Sequence, residues 1–143
     1  AYAGGKLKKN HIRIIAGDPV GSLYTGYHRT GAMGEGQPYK VEGIGGDKIP
    51  TTIWWDFVDE FRQLSDRESM AMARRLAREE GILVGISCGA AMAAALRLAH
   101  DAAFAGKTIV VVLPDAGERY LSGALFEGMF AEVEKAQAVP VGI

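Results

Sequence analysis

Ile82-Leu83-Val84-Gly85-Ile86-Ser87-Cys88-Gly89-Ala90-Ala91-Met92-Ala93-Ala94-Ala95-Leu96 is the passage on which the reading of the whole chain turns. Residues 82–86 are continuously apolar up to a glycine, the composition of a strand covered on both faces. Gly85 and Gly89 then bracket a change of direction into an alanine-rich run, and a helix is expected over 89–103. Past it lies Thr108-Ile109-Val110-Val111-Val112-Leu113, a β-branched run stopped by Pro114, which reads as a second strand. Two such strands joined by a crossover of helical length predict a parallel sheet in an α/β domain.

Moving outward, Ser65-Asp66-Arg67-Glu68 has the spacing of a capping box. Met70, Ala73, Leu76 and Ala77 follow at helical intervals, and Gly81 offers a left-handed stop. Nearer the amino end, Ile12, Ile14 and Ile15 predict a strand ending before a turn at Gly17-Asp18-Pro19, followed by a short helix over 22–30. A glycine-rich stretch over 31–36 precedes Tyr39-Lys40-Val41-Glu42, whose alternation predicts another strand, and then a loop over 43–50.

The 143 residues suit one domain, and 48% hydrophobic residues with 23% charged exclude a disordered or fibrous chain. Sixteen Lys and Arg offset seventeen Asp and Glu, so the net charge builds no field for nucleic acid or an anionic membrane. No apolar run reaches the roughly 18 residues needed to cross a bilayer, and no secretory signal is visible. The single cysteine, Cys88, forms no internal disulfide and no Cys-based metal site, so a cytoplasmic location and no metal are expected. A chain that opens on Ala1-Tyr2-Ala3-Gly4-Gly5 without a cap or turn is expected to be a fragment.

In an open parallel sheet, ligands gather beyond the carboxyl ends of the strands, where loops run into helix N-termini. Ser87 and Asp115 end the two strand-like runs and are expected to face one cleft. Gly85-x-Ser87-x-Gly89 matches the serine-hydrolase elbow, but His11, His28 and His100 all precede Asp115. That chain order denies the serine its base. Gly43-Ile44-Gly45 opens like a dinucleotide fingerprint, yet Lys48 stands at the third glycine position. Cys88 reads as a small buried residue, and Arg74, Arg75 and Arg78 beside Glu79 and Glu80 as a solvated face. His100 is placed to meet the carboxyl end of its helix. Trp54, Trp55 and Phe57 fill either a core or a subunit contact, and the contact is the functional reading kept.

Taken in order, Asp18-Pro19-x-Gly21-Ser22, Tyr39-Lys40-Val41-Glu42-Gly43-Ile44-Gly45 with Ile49-Pro50, the run from Glu80 to Ala91, and Val112-Leu113-Pro114-Asp115-x-Gly117-Glu118-Arg119-Tyr120-Leu121-Ser122 resemble the carboxyl-terminal portion of the cysteine synthase and cystathionine β-synthase family. These are fold-type-II pyridoxal-phosphate enzymes. The resemblance implies a doubly wound, parallel-sheet α/β domain of tryptophan synthase β-like architecture, incomplete over residues 1–143. It implies pyridoxal 5'-phosphate as cofactor, bound through Ser87 at the pyridine nitrogen, with Pro114, Asp115 and Gly43 lining the cofactor and Ile44 and Gly45 on the substrate side.

A serine hydroxyl is a neutral partner that leaves the ring nitrogen unprotonated, where a carboxylate would keep a proton on it. The weaker electron sink suits β-replacement. The Schiff-base lysine, and with it every catalytic residue, is expected on an amino-terminal part absent from these 143 residues. None of the chain's own lysines is assigned that role, and a separate amino-terminal segment is a possible partner. Val41-Glu42-Gly43-Ile44-Gly45 with Asp47, Ser87-Cys88-Gly89 and Pro114-Asp115 lean toward a cystathionine β-synthase acting on serine or O-acetylserine and homocysteine. The run Gly117 to Ser122 leans toward the alternative, a cysteine synthase that uses sulfide. A non-catalytic interaction module is the third reading. Small amino-acid substrates and a homodimer complete the expectation.

Overall fold

The computed structural model describes residues 11–127. Strand β1 (Ile15–Pro19) pairs in parallel with β2 (Glu60–Leu64), Ile15 opposite Glu60 and Pro19 opposite Leu64. Between them run helix α1 (Tyr24–Thr30) and a long connection ending in a 3-10 turn at Trp55–Phe57. Helix α2 (Asp66–Glu80) follows β2 directly, and α3 (Ile86–Ala99) follows after Gly81–Gly85.

Helix α2 matches its sequence signature. The Ser65 hydroxyl accepts from the Glu68 N–H at 3.3 Å while the Ser65 N–H donates to the Glu68 carboxylate at 3.0 Å. Two amide donors without intrahelical partners are thereby satisfied. Gly81 closes the helix at φ 70°, a left-handed position that glycine takes without steric cost.

Helix α3 packs on the sheet and α2 packs on α3. Ala90, Ala93 and Ala94 are buried against Leu64, so the alanines that marked this helix in the sequence are the ones that let it lie close to the strands. Along its other side Cys88 joins Val41, Ala73, Leu76, Val84, Ile86 and Leu125 in a second cluster. Burial of such side chains is the main stabilising term, at roughly 25 cal/mol per Å² of apolar surface.

Five expectations need correction. The first strand runs through Gly17-Asp18-Pro19 rather than stopping before it, because β2 supplies a parallel neighbour for those residues. The turn comes one step later, with the Ser22 N–H on the Pro19 carbonyl at 3.0 Å. Residues 39–42 form no strand, since the Lys40 and Val41 N–H groups donate to the Asp66 carboxylate at 2.9 and 3.2 Å. A side chain has replaced the neighbouring strand as acceptor. Residues 82–86 contribute only a single antiparallel bridge, Val84 to Ala116, and Ile86 already belongs to α3.

That helix begins three residues before the expected start and ends at Ala99, and a separate 3-10 turn over Ala102–Phe104 is capped by Asp101. Residues 108–113 carry no ladder among the described residues, with Val110 and Val112 83% and 74% exposed. A β-branched run needs a neighbour before its propensity becomes a strand.

Candidate functional site

Gly85 is the N-cap of α3 and has extended dihedrals, which puts Ser87 in the first helical turn rather than in a loop. The amide groups of that turn have no intrahelical partner and carry the positive end of the helix dipole. Ser87 is only 3% exposed, and its hydroxyl makes no hydrogen bond to the described residues.

Gly43 lies across from it. A Cβ there would stand 3.7 Å from Ser87 Oγ, and the residue has φ 86°, so glycine at this place combines a left-handed backbone with an approach to the hydroxyl. The rest of the loop is tied down behind. The Gly46 N–H donates to Ser22 Oγ at 3.1 Å, and the Leu23 N–H donates to the Gly46 carbonyl at 3.0 Å. Gly45, at φ 74°, is pressed by Pro19 and the Tyr39 hydroxyl, which a Cβ would meet at 2.7 and 2.8 Å. Ile44 packs against both core clusters.

Asp115, half-buried in the bend after residues 108–113, packs beside Gly85 at the start of α3. Its carboxylate accepts from the Tyr120 hydroxyl at 2.5 Å and from the Cys88 thiol at 3.1 Å. The Asp115 hydrogen bond pushes the Tyr120 phenol up to about 12, with burial adding to the effect. Burial likewise pushes the Cys88 thiol up. Cys88 is therefore a protonated donor rather than a nucleophile. Pro114 is exposed.

Of the residues singled out in the sequence, Ser87, Gly43 and the Ile44-Gly45 loop come together, and the Asp115 carboxylate lies against Gly85, the residue that precedes α3. Tyr120 as the partner of Asp115 was not anticipated. The only sequence signal is a tyrosine five residues beyond the aspartate, brought back by the 3-10 turn Gly117–Tyr120.

Outside the site, one surface reading changes. Arg74 does not belong to the solvated face, because its Nε donates to the Leu125 carbonyl at 2.5 Å. Arg75 and Arg78 do, through Glu79. Trp55 is half-buried, stacked on Phe61 at 5.7 Å and edge-on to Tyr24 and Tyr27. Trp54 is 43% exposed and, with Tyr27, Ile53 and Phe57, borders an open cleft of about 590 Å³. His100 accords with its expected place, a ring nitrogen 2.7 Å from the Leu96 carbonyl at the end of α3.

The model of the pyridoxal-phosphate dependent enzyme family matches residues 1–115. The chain belongs to that family. It is 43% identical over 136 residues to cysteine synthase A of Escherichia coli strain K12, covering 95% of this chain and 42% of the relative. The chain thus spans well under half the length of that curated protein. Among solved structures it is similar to cysteine synthase from Entamoeba histolytica, with TM-score 0.75 and 38% identity over 85% of this chain and 34% of that one. An O-acetylserine dependent cystathionine β-synthase from Helicobacter pylori aligns with TM-score 0.71 and 36% identity, covering 85% of this chain and 37% of that one. The fold is therefore the α/β, parallel-sheet architecture of the fold-type-II enzymes, and the family's cofactor is pyridoxal phosphate. The hydroxyl of Ser87, without a hydrogen bond among the described residues and with Gly43 opposite it, is a neutral polar group open to such a cofactor.

Proposed function

We propose that the protein is a cysteine synthase, replacing the β-substituent of O-acetylserine with sulfide. The observation that carries this choice is the 43% identity to a cysteine synthase over 136 residues. It outweighs the lean toward cystathionine β-synthase that Glu42 and Asp47 suggested in the sequence. When bound, pyridoxal phosphate supplies the electron sink that lets the substrate lose its Cα proton and its β-leaving group.

This chain's residues act around that group. Ser87 holds the pyridine nitrogen with a neutral hydroxyl, and Gly43 lets the loop approach the cofactor. Ile44 and Gly45 border the substrate, while Pro114 and Asp115 close the edge of the ring. Residues 1–143 form the carboxyl-side part of the catalytic fold. The lysine that carries the cofactor lies on a part of the protein outside them, and the working assembly is a homodimer.

A second reading has its own support. Glu42 adjoins Gly43 and its charge bears on the Tyr120 hydroxyl, so a carboxylate stands near the site and offers a partner for the amino group of homocysteine. The similarity to the Helicobacter pylori cystathionine β-synthase points the same way.

Competition between sulfide and homocysteine for the O-acetylserine-charged protein, with cysteine and cystathionine separated by chromatography, decides between the two. A kcat/KM for sulfide at least tenfold higher is expected, about 1.4 kcal/mol of transition-state preference. The reverse ratio makes the protein a cystathionine β-synthase.

A further inference from the structure

The Asp115 side chain folds back onto the start of α3. A Cβ at Gly85 would lie 2.2 Å from Asp115 Oδ1 and 2.6 Å from Oδ2, so the carboxylate occupies the side-chain space of the glycine two positions before Ser87. Both oxygens are engaged there, Oδ2 by the Tyr120 hydroxyl at 2.5 Å and Oδ1 by the Cys88 thiol at 3.1 Å. The main chain is fixed as well, the Asp115 carbonyl accepting from the Gly85 N–H at 3.4 Å and from the Cys88 thiol at 3.3 Å. Ser87 lies between Gly85 and Cys88 on the same turn, yet its hydroxyl has no partner among the described residues. A carboxylate is a natural acceptor for a hydroxyl on the neighbouring turn, and here two other donors hold it instead.

We infer that Tyr120 is a positioning residue which, with the Cys88 thiol, holds the Asp115 carboxylate on Gly85 and off the pyridine nitrogen, so that Ser87 is that atom's neutral partner. The inference rests on the cofactor reading of Ser87 given above. Its chemical consequence concerns the strength of the electron sink. A carboxylate that reached the ring nitrogen would hold a proton on it and strengthen electron withdrawal, and a hydroxyl does not. Tyr120 keeps its proton across the working range of pH, because Asp115 and burial both raise its phenol. The other titratable groups that bear on this hydroxyl are Glu42 and Cys88, and each disfavours a phenolate further.

The test is the absorption of bound pyridoxal phosphate in the full-length protein, followed across neutral pH in the parent and in Tyr120→Phe. Freeing the carboxylate is expected to raise the apparent pKa of the cofactor by about one unit. The double variant Tyr120→Phe with Asp115→Asn is expected to return to the parent value, because no carboxylate is left to stray. Asp115→Glu supplies an independent route, since the longer carboxylate does not fit the space over Gly85 and is expected to reproduce the shift.

A contact that only stabilised the fold would change the melting temperature and leave this titration where it was. Titrations of Tyr120→Phe and Asp115→Glu that coincide with the parent overturn the inference, as does a double variant that keeps the shift. Ser87→Ala measured alongside separates the two possible failures. If its titration matches the parent, the assignment of Ser87 falls and this inference with it. If it differs while Tyr120→Phe matches the parent, the latch alone is wrong.

Discussion

Gly89 of α3 lies against Ser69 of α2 so closely that a Cβ at position 89 would stand 2.0 Å from the Ser69 carbonyl oxygen and 2.7 Å from the Ala73 nitrogen. The last glycine of the Gly85-x-Ser87-x-Gly89 pattern is therefore there for the crossing of two helices, and the chemistry belongs to the serine. The opposing atoms are backbone and cannot rotate away.

Gly89→Ala consequently pits two effects against each other. Alanine favours a helix interior over glycine by about 1 kcal/mol, whereas overpacking a tight contact costs on the order of 3 kcal/mol. The steric term is the larger, so urea denaturation should show a net loss of stability of about 2 kcal/mol. A stabilised Gly89→Ala protein would mean that α2 and α3 are not packed at this distance.

Ser65→Ala removes one side of the capping box and should cost about 1 kcal/mol near neutral pH. Hydrogen bonds from the Ser65 N–H and hydroxyl hold the Glu68 carboxyl below its ordinary value of 4.5, with Arg97 helping and burial opposing. A depressed folded-state pKa contributes stability that is present above the unfolded value and is lost as pH falls through the folded one. The stability gap between parent and Ser65→Ala should therefore be widest near neutral pH and narrow below about pH 4.5. It should not close, because the Ser65 hydroxyl still accepts from the Glu68 N–H at 3.3 Å. Denaturation midpoints measured across this range check both the direction and the residue.

These two helices show what the sequence makes legible. The capping box of α2 is a local code, with both partners three residues apart, and the glycine that ends the helix needs no distant information. Strand β2 escapes such reading because Glu60-Phe61-Arg62-Gln63-Leu64 carries too many polar side chains, and its character comes from pairing with β1. Residues 108–113 err in the other direction, rich in strand formers but without a ladder among the described residues. At the site, Ser87 is legible from its place between an apolar run and a helix. The hold of Tyr120 on Asp115 is not, since it depends on how the turn after Asp115 bends back.

Ser87→Ala should leave the stability of the cofactor-free protein within about 0.5 kcal/mol of the parent, because the hydroxyl satisfies no group among the described residues. Turnover of the loaded protein should fall by roughly tenfold or more, the loss of a hydrogen bond of about 1.4 kcal/mol or greater at a buried acceptor. Thermal melts without cofactor and steady-state rates with it separate the two effects. A large loss of stability in the cofactor-free protein would show that Ser87 is a structural residue.

Arg74 and Arg75 stand side by side on α2 and should behave differently. Arg75 pairs with Glu79 at 2.9 Å on an exposed face, so Arg75→Ala should leave stability close to the parent's, with any difference vanishing at high salt. Arg74 donates to the Leu125 carbonyl at 2.5 Å and to the Ala124 carbonyl at 3.3 Å. Leu125 is buried in the cluster that contains Cys88 and Ala73, so Arg74 ties the segment after Tyr120 onto the helix pair. Arg74→Ala leaves two carbonyls without their charged donor and should cost about 2 kcal/mol, within the range for hydrogen bonds to charged groups. Arg74→Lys, a point charge without the guanidinium fork, should recover only part of that. Hydrogen exchange adds the location, with faster exchange in Arg74→Ala expected over residues 121–127 and around Cys88. Equal effects of Arg74→Ala and Arg75→Ala would return Arg74 to the solvated face of the helix.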